Sequence, residues 1–209
     1  MYRPEELKCL DRKPKINDIS LKTLQEFYYM YLMPFSYTYK VEEGEKHREF
    51  SLRFDSDKLG HLVGVESIAR GQVKYKDLPE YRGAKGWNNI ALGLLDFKKL
   101  KTLNKRKFQS VKAKFVYFYL VPDLIEHPLA VRFDGSKVSP PVRIESEILF
   151  YSTYENAVIH LGIDQDAKDD FYFPRTFFVE KLGNDKVEDV YTVNQEKIEV
   201  EKKCRTIMI

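Results

Sequence analysis

Strand-forming alternation in this sequence is confined to two stretches that a helical middle separates. The first stretch, 35–55, alternates aromatic or aliphatic residues with polar ones and favours a hairpin. The second lies in the last third, where strands are predicted over 130–134, 142–152, 157–163 and 171–181. Because consecutive strands joined by short turns favour antiparallel pairing, the pattern predicts an α+β fold with an antiparallel sheet and helices segregated to one side.

Helical spacing of apolar residues occupies the first and middle parts of the chain. It predicts helices over 18–33 and 62–70, and three more between 87 and 120. No stretch has the composition of a linker, so we predict a single domain over 1–209. Residues 1–17 look irregular, and the charged tail, 187–209, receives no assignment.

Several classes of site are absent from the sequence. It has no P-loop, no dinucleotide-binding glycine motif and no GxSxG or HExxH motif, and its four histidines are too dispersed for zinc. We therefore expect no metal site and no cofactor. No apolar run is long enough to span a membrane, and the charged start is not a secretory signal. These features predict a cytoplasmic protein without a membrane partner.

A basic run between Lys98 and Lys114 stands out in a chain whose net charge is only +3. It holds eight lysines or arginines and no acid, with Lys105, Arg106 and Lys107 at its centre. Such a run can follow a phosphate backbone, so these three residues are predicted to bind RNA. The alternative is a solvated helix face, which is what most charge runs are.

His61 is the first candidate for chemistry. It follows the alternating strand that ends near Asp55 and lies between Gly60 and Gly64, where an imidazole can be both held and reached. Histidine titrates near neutral pH and is the commonest general acid or base, which makes His61 a catalytic candidate. The alternative is a partly buried histidine that bonds a backbone carbonyl.

A second group of candidates could bind phosphate. Arg175 and Thr176 follow Pro174 in a strand otherwise made largely of aromatic residues, and both can contact phosphate oxygens. The alternative is an edge strand on which these residues have no ligand. Arg82 and Lys85, in a polar loop, could supply a further cation. His160 is interpreted as a core or cross-strand histidine.

This inventory fits RNA cleavage without a metal. Attack of a ribose 2′-OH on its own phosphate needs a base, an acid and cations around the phosphorane, and no nucleophile from the protein. His61 would then transfer protons, and Arg175 and Thr176 would hold the scissile phosphate.

Two short motifs resemble those of the phage-associated nucleases of the barnase–EndoU–colicin–RelE (BECR) superfamily. Members carry an HLTG-like motif after a strand, a lysine-rich helical stretch and a late Pro-x-[Ser/Thr]-Phe element. Here the first is 61–64, HLVG, with Val63 in place of threonine, and the second is 174–177, PRTF. The resemblance spans about 50–181, outside the N-terminal helix and the tail. The change at Val63 removes any hydroxyl role there.

The resemblance implies a BECR-like RNase architecture and a role as a toxin or phage-conflict effector. RNA is then the expected partner, together with an antitoxin or immunity protein. Two other readings remain open at this point. One is a non-enzymatic nucleic-acid-binding module, and the other is a phage or mobile-element module that binds a host protein.

Overall fold

The two alternating stretches of sequence form one closed barrel together with a strand from the unassigned tail. The computed structural model describes residues 1–43, 46–167, 169–183 and 189–208. The strands are β1 (Phe35–Glu43), β2 (Lys46–Arg53), β3 (Leu129–Arg132), β4 (Ile148–Tyr154), β5 (Ala157–Gln165), β6 (Phe171–Lys181) and β7 (Glu196–Ile207). Their order around the barrel is β1-β2-β6-β5-β4-β3-β7, and β7 returns to β1.

The closed barrel corrects the predicted antiparallel sheet. Most neighbouring strands pair in antiparallel fashion. These pairs include the predicted β1–β2 hairpin and the predicted β4–β5–β6 meander. However, β2 and β6 are parallel, and they pair only at Ser51↔Phe171 and Leu52↔Tyr172. Closure depends on β7, which pairs with β1 on one side and β3 on the other. The mixture of helices and strands agrees with the α+β class, but the sheet is a mixed barrel.

The described part of the chain contains eight α-helices, most of them short. They are α1 (Pro4–Lys8), α2 (Leu21–Tyr31), α3 (Leu59–Leu62), α4 (Val65–Ala69), α5 (Gly83–Ala91), α6 (Phe97–Leu103), α7 (Lys105–Tyr117) and α8 (Val121–Glu126). Within the described ranges, none of them combines the length and apolar character needed to cross a membrane.

The chain divides into two compact units. The helical unit comprises Met1–Pro34 and Asp55–Leu120, and the barrel unit comprises Phe35–Phe54 and Val121–Ile209. All helices except α8 belong to the helical unit. That the chain forms a single domain stays a prediction. That the helices lie on one side of the sheet stays a prediction as well.

Several predicted boundaries shift for local reasons. The helix predicted over 62–70 is two short helices, because Gly64 adopts a left-handed conformation (φ 86°) between α3 and α4. Helix α2 is capped by Ser20, whose Oγ accepts from the Thr23 amide, rather than by Asp18. The strand predicted over 142–152 begins only at Ile148. The tail left unassigned contains β7, and its residues 187, 188 and 209 lie outside the described part.

Candidate active site around Glu66

The carboxylate of Glu66 is the centre of a cluster in the helical unit. Its side chain is only 9 % exposed and has one imidazole and two guanidinium groups around it. His61 Nδ1 lies 3.3 Å from Oε2, and Arg70 Nη2 donates to Oε1 at 2.8 Å. Arg82 Nη1 donates to the same Oε1 at 3.4 Å. The structure therefore brings two predicted residues, His61 and Arg82, to one carboxylate.

A sharp reversal of the chain builds this cluster. His61 lies in α3, and the left-handed Gly64 turns the chain so that Glu66, in α4, returns to the imidazole. A side chain at Gly64 would be strained by its positive φ and would also meet Val111 Cγ1 at 3.0 Å. Arg70 follows Glu66 by one helical turn, the spacing at which an ion pair forms on a helix face.

Arg82 is held in place by close backbone packing. A Cβ at Gly86 would lie 2.8 Å from the carbonyl carbon of Tyr81, the residue before Arg82. A Cβ at Gly60 would lie 3.3 Å from the Tyr81 carbonyl oxygen. These two glycines let α3 and α5 pack directly on the segment that carries Arg82. Because glycine has no side chain, Gly60 and Gly86 help to position Arg82.

The electrostatics keep Glu66 ionised. Burial opposes ionisation, but hydrogen bonds from Arg70 and His61 outweigh it and hold the pKa of Glu66 below its ordinary value. An anionic carboxylate beside Nδ1 orients the imidazole and favours the tautomer that leaves Nε2 for a substrate. The side chain of His61 is 56 % exposed, so a ligand can reach it.

The charges around Glu66 suit a phosphate. Two guanidinium groups face one carboxylate, which leaves a positive charge before the imidazole is counted. Arg70 and Arg82 both remain partly accessible to solvent. Fixed cations next to a titratable imidazole can bind a phosphodiester and stabilise the extra negative charge of a phosphorane.

The predicted RNA-binding residues lie in the same unit. Lys105, Arg106 and Lys107 form the first turn of α7 and are exposed, and the Asn104 side chain accepts from the Lys107 amide. Positive charge is unfavourable at a helix N-terminus, so three cations there lower the stability of the helix. Within the described chain, none of the eight cations of the run is paired with a carboxylate.

One cation of the run has a perturbed ionisation. Burial and the nearby charge of Lys107 lower the pKa of Lys114 to about 8. Its charge is therefore retained at neutral pH but is lost at mildly alkaline pH. A groove of about 510 Å³ lies along α6, with Tyr81, Lys98, Lys99 and Thr102 among its lining residues.

Lys85 does not reach the Glu66 carboxylate. Its ammonium group pairs with Glu80 at 3.2 Å, and that carboxylate also accepts from Asn89. Lys85 is largely exposed, so its predicted role in substrate binding stays a prediction.

Arg175 and Thr176 belong to the other unit, on β6 of the barrel. Arg175 Nη2 donates to Glu145 Oε2 at 2.5 Å, and Thr176 lies opposite Gly162 of β5. The structure thus gives Arg175 a carboxylate partner. Their predicted role as phosphate-holding residues beside His61 stays a prediction.

The barrel unit has a carboxylate–arginine cluster of its own, but both oxygens of its carboxylate already accept hydrogen bonds. Arg48 donates to Glu147 Oε1 and to the hydroxyl of Tyr172, both at 2.6 Å. That hydroxyl donates to Glu147 Oε2 at 2.5 Å. Burial and the bond to Glu147 raise the pKa of Tyr172 to about 12. With no imidazole and no open acceptor in it, this cluster is better explained as structural.

His160 is a core histidine, in agreement with its sequence interpretation. It is fully buried, and its Nε2 lies 2.7 Å from Asp189 Oδ2. Its ring stacks on Phe178 at 4.4 Å between centroids. This pair fixes the turn that begins at Asp189 against β5.

Glu66 and Arg70 are the members of the site that sequence reasoning missed. One signal was present, because Glu66 is an acid among the apolar residues Val65, Ile68 and Ala69 of α4. A charged residue at a buried helix position needs a partner. Across the described ranges, no group of three or more histidine, cysteine or acidic side chains is arranged to hold a metal ion.

Comparison with protein-family models gives a match over most of the chain. A family model described as phage-Barnase-EndoU-ColicinE5/D-RelE like nuclease 4 matches residues 21–204, a wider span than the two motifs define. The match includes every residue of the Glu66 cluster. Neither the curated proteins nor the solved structures provide a significant match.

Proposed function

The chain belongs to the phage-Barnase-EndoU-ColicinE5/D-RelE like nuclease 4 family, and from this we propose that it is a metal-independent endoribonuclease with its active centre at Glu66. The observation that carries the proposal is the contact of one carboxylate with His61, Arg70 and Arg82 at 2.8–3.4 Å. This arrangement supplies a proton-transfer group and fixed cations without requiring a metal.

His61 is the proton-transfer group in this proposal. Its Nε2 takes the proton of the ribose 2′-OH as the 2′-oxygen bonds to phosphorus. The imidazolium then returns a proton to the 5′-oxygen as the bond from phosphorus to that oxygen breaks. The products are a 2′,3′-cyclic phosphate and a 5′-hydroxyl end. Glu66 stabilises the imidazolium through Nδ1, and it acts as a positioning residue.

The two arginines and the basic run have different tasks. Arg70 and Arg82 stabilise the charge that develops on the phosphorane oxygens. Lys105, Arg106 and Lys107 contact phosphates farther along the strand, where they contribute affinity without base specificity. The effector role, in the cytoplasm of a bacterial host and opposed by an antitoxin or immunity protein, belongs to the same proposal.

The reaction class is tested with total RNA and the purified protein in the presence of EDTA. We expect fragments that carry 2′,3′-cyclic phosphate ends. A synthetic RNA with a single 2′-deoxy substitution at the mapped cleavage site should resist cleavage there. Cleavage of the 2′-deoxy substrate, or a requirement for a divalent cation, would overturn the mechanism.

A non-enzymatic nucleic-acid-binding module is the second candidate, because the basic run alone could hold RNA. Inducible expression in a bacterial host separates the two. A nuclease should arrest growth and leave RNA fragments, whereas a binding module should leave total RNA intact. Intact RNA together with measurable RNA binding in vitro would favour the second candidate.

A further inference from the structure

The outer face of the barrel carries a groove that the nuclease proposal does not use. It has a volume of about 600 Å³ and is formed by the barrel unit alone. Its polar lining consists of four hydroxyl side chains and one guanidinium, and no carboxylate from the described part of the chain lines it. These residues are Ser36, Thr38, Ser51, Thr206 and Arg53, with Phe171 beside them.

The strand register brings the hydroxyl groups together. Ser36 of β1 lies opposite both Arg53 of β2 and Thr206 of β7. Thr38 lies opposite Ser51, and their hydroxyl oxygens are 3.1 Å apart. The intervening residues, such as Tyr37 and Leu52, are buried on the opposite face. Side chains alternate along a strand, so the hydroxyls form one continuous outward patch.

Arg53 is the unusual member of this patch. Its guanidinium lies over the ring of Phe171, with Cζ 3.1 Å from the ring centroid. Its Nε is buried and has no hydrogen-bond partner in the described chain. Every other described arginine either pairs with a carboxylate or is exposed to solvent.

A half-buried cation without a counter-charge is unfavourable unless a ligand supplies one. The contact with the Phe171 ring restrains the guanidinium before any ligand arrives. A guanidinium flanked by hydroxyl donors matches the oxygens of a phosphate group. Ile207 and Met208 add an apolar side to the groove that can cover an organic moiety.

We infer that this groove is a second binding site, which takes the phosphate of a nucleotide, with Arg53 as its main anchor. The phosphate belongs either to a free nucleotide or to an RNA strand, since both present the same group. Binding of a phosphate in this groove does not involve Glu66, and it does not require that RNA be cleaved.

The test is a titration followed by amide chemical shifts of the full-length protein. The probes are inorganic phosphate, nucleoside 5′-monophosphates and a 2′-O-methyl oligonucleotide, which the proposed chemistry cannot cut. We expect shifts at Ser36, Thr38, Ser51 and Thr206, and at least tenfold weaker binding by Arg53→Met. Thr38→Val, which removes one hydroxyl at nearly constant shape, should weaken binding by a few-fold.

Arg143→Met is the matched control, since Arg143 is an exposed arginine of the barrel unit that does not line the groove. It should bind like wild type. Tighter binding of the monophosphates than of the oligonucleotide identifies a free-nucleotide site, and the reverse order identifies an RNA site. Binding of none of the three probes, or equal binding by wild type and Arg53→Met, would overturn the inference.

Discussion

Single residues carry the chemistry in this account, and Glu66 is the one on which the others depend. Sequence reasoning could find His61 and Arg82 one at a time, because each is conspicuous in its own segment. It could not link them, because the link is a carboxylate that reaches them only after Gly64 reverses the chain. That reversal depends on the left-handed backbone conformation of Gly64, which the spacing of residues in the sequence does not predict.

Glu66→Gln should abolish most cleavage, by about 10²-fold or more, because it removes the charge that orients His61. It should also change the pH dependence of stability. The lowered pKa of Glu66 stabilises the fold above its unfolded value, and this contribution is lost as pH falls through the folded pKa. The difference in melting temperature between wild type and variant should therefore shrink as the pH falls below the ordinary pKa of a glutamate side chain. A pH-independent difference would contradict this assignment.

His160 should matter for stability and not for cleavage. Its removal leaves the buried Asp189 without its histidine partner, which costs about 3 kcal/mol in comparable buried pairs. For a chain of this size, His160→Ala should lower the melting temperature by about 6–12 °C. The exposed His127 provides the control, and His127→Ala should melt like wild type. An unchanged melting temperature for His160→Ala would show that the pair is dispensable.

Among the elements, those with a local pattern were predictable and those defined by distant partners were not. The β1–β2 hairpin and the β4–β6 meander follow from alternation within each strand. Strand β7 was missed because its charged residues lie mostly on the exposed surface, and only Ile198 is buried. Without β7, the strand pattern indicated an antiparallel sheet and not a closed barrel.

Helix α7 offers a prediction in which stability and binding move in opposite directions. Replacing Lys105, Arg106 and Lys107 with glutamate puts acids at a helix N-terminus, where they stabilise the helix. The melting temperature should stay constant or rise. RNA affinity should fall, and the slope of log K against log salt should shrink by about 0.7 for each phosphate that the helix no longer neutralises.

The control for that variant reverses three exposed cations elsewhere in the helical unit, Arg12, Lys74 and Lys76. Both variants have the same net charge, so a general electrostatic effect would weaken RNA binding equally in the two. Equal loss of affinity would show that α7 is not the contact surface.

The whole molecule is organised by a barrel whose strands come from two separated parts of the chain. Strands β1 and β2 precede most of the helical unit, and the other five follow it. Strand β1 pairs with β7, which lies far from it in the sequence, so the barrel cannot close until β7 is available. Contacts of such long sequence separation form slowly.

A chain ending at residue 195 should therefore lose the closed barrel. Removal of β7 exposes the edges of β1 and β3, which otherwise pair with it. Circular dichroism should show reduced strand content, and limited proteolysis should cut within residues 129–181. A chain ending at residue 207 retains β7 and should behave like wild type. Equal protease resistance of both chains would contradict the role given to β7.

The central claim is that the cluster around Glu66 cleaves RNA, and the rate of His61→Ala tests it most directly. The measurement is single-turnover cleavage of one mapped RNA substrate in EDTA, with His47→Ala as the control. His47 is 57 % exposed and pairs with a glutamate, like His61, but it lies on β2 of the barrel. We expect His61→Ala to cleave about 10²–10⁴-fold more slowly and to remain folded, because Arg70 and Arg82 still pair with Glu66, and we expect His47→Ala to cleave at the wild-type rate. Cleavage by His61→Ala at the wild-type rate, or an equal loss in both variants, would contradict the account.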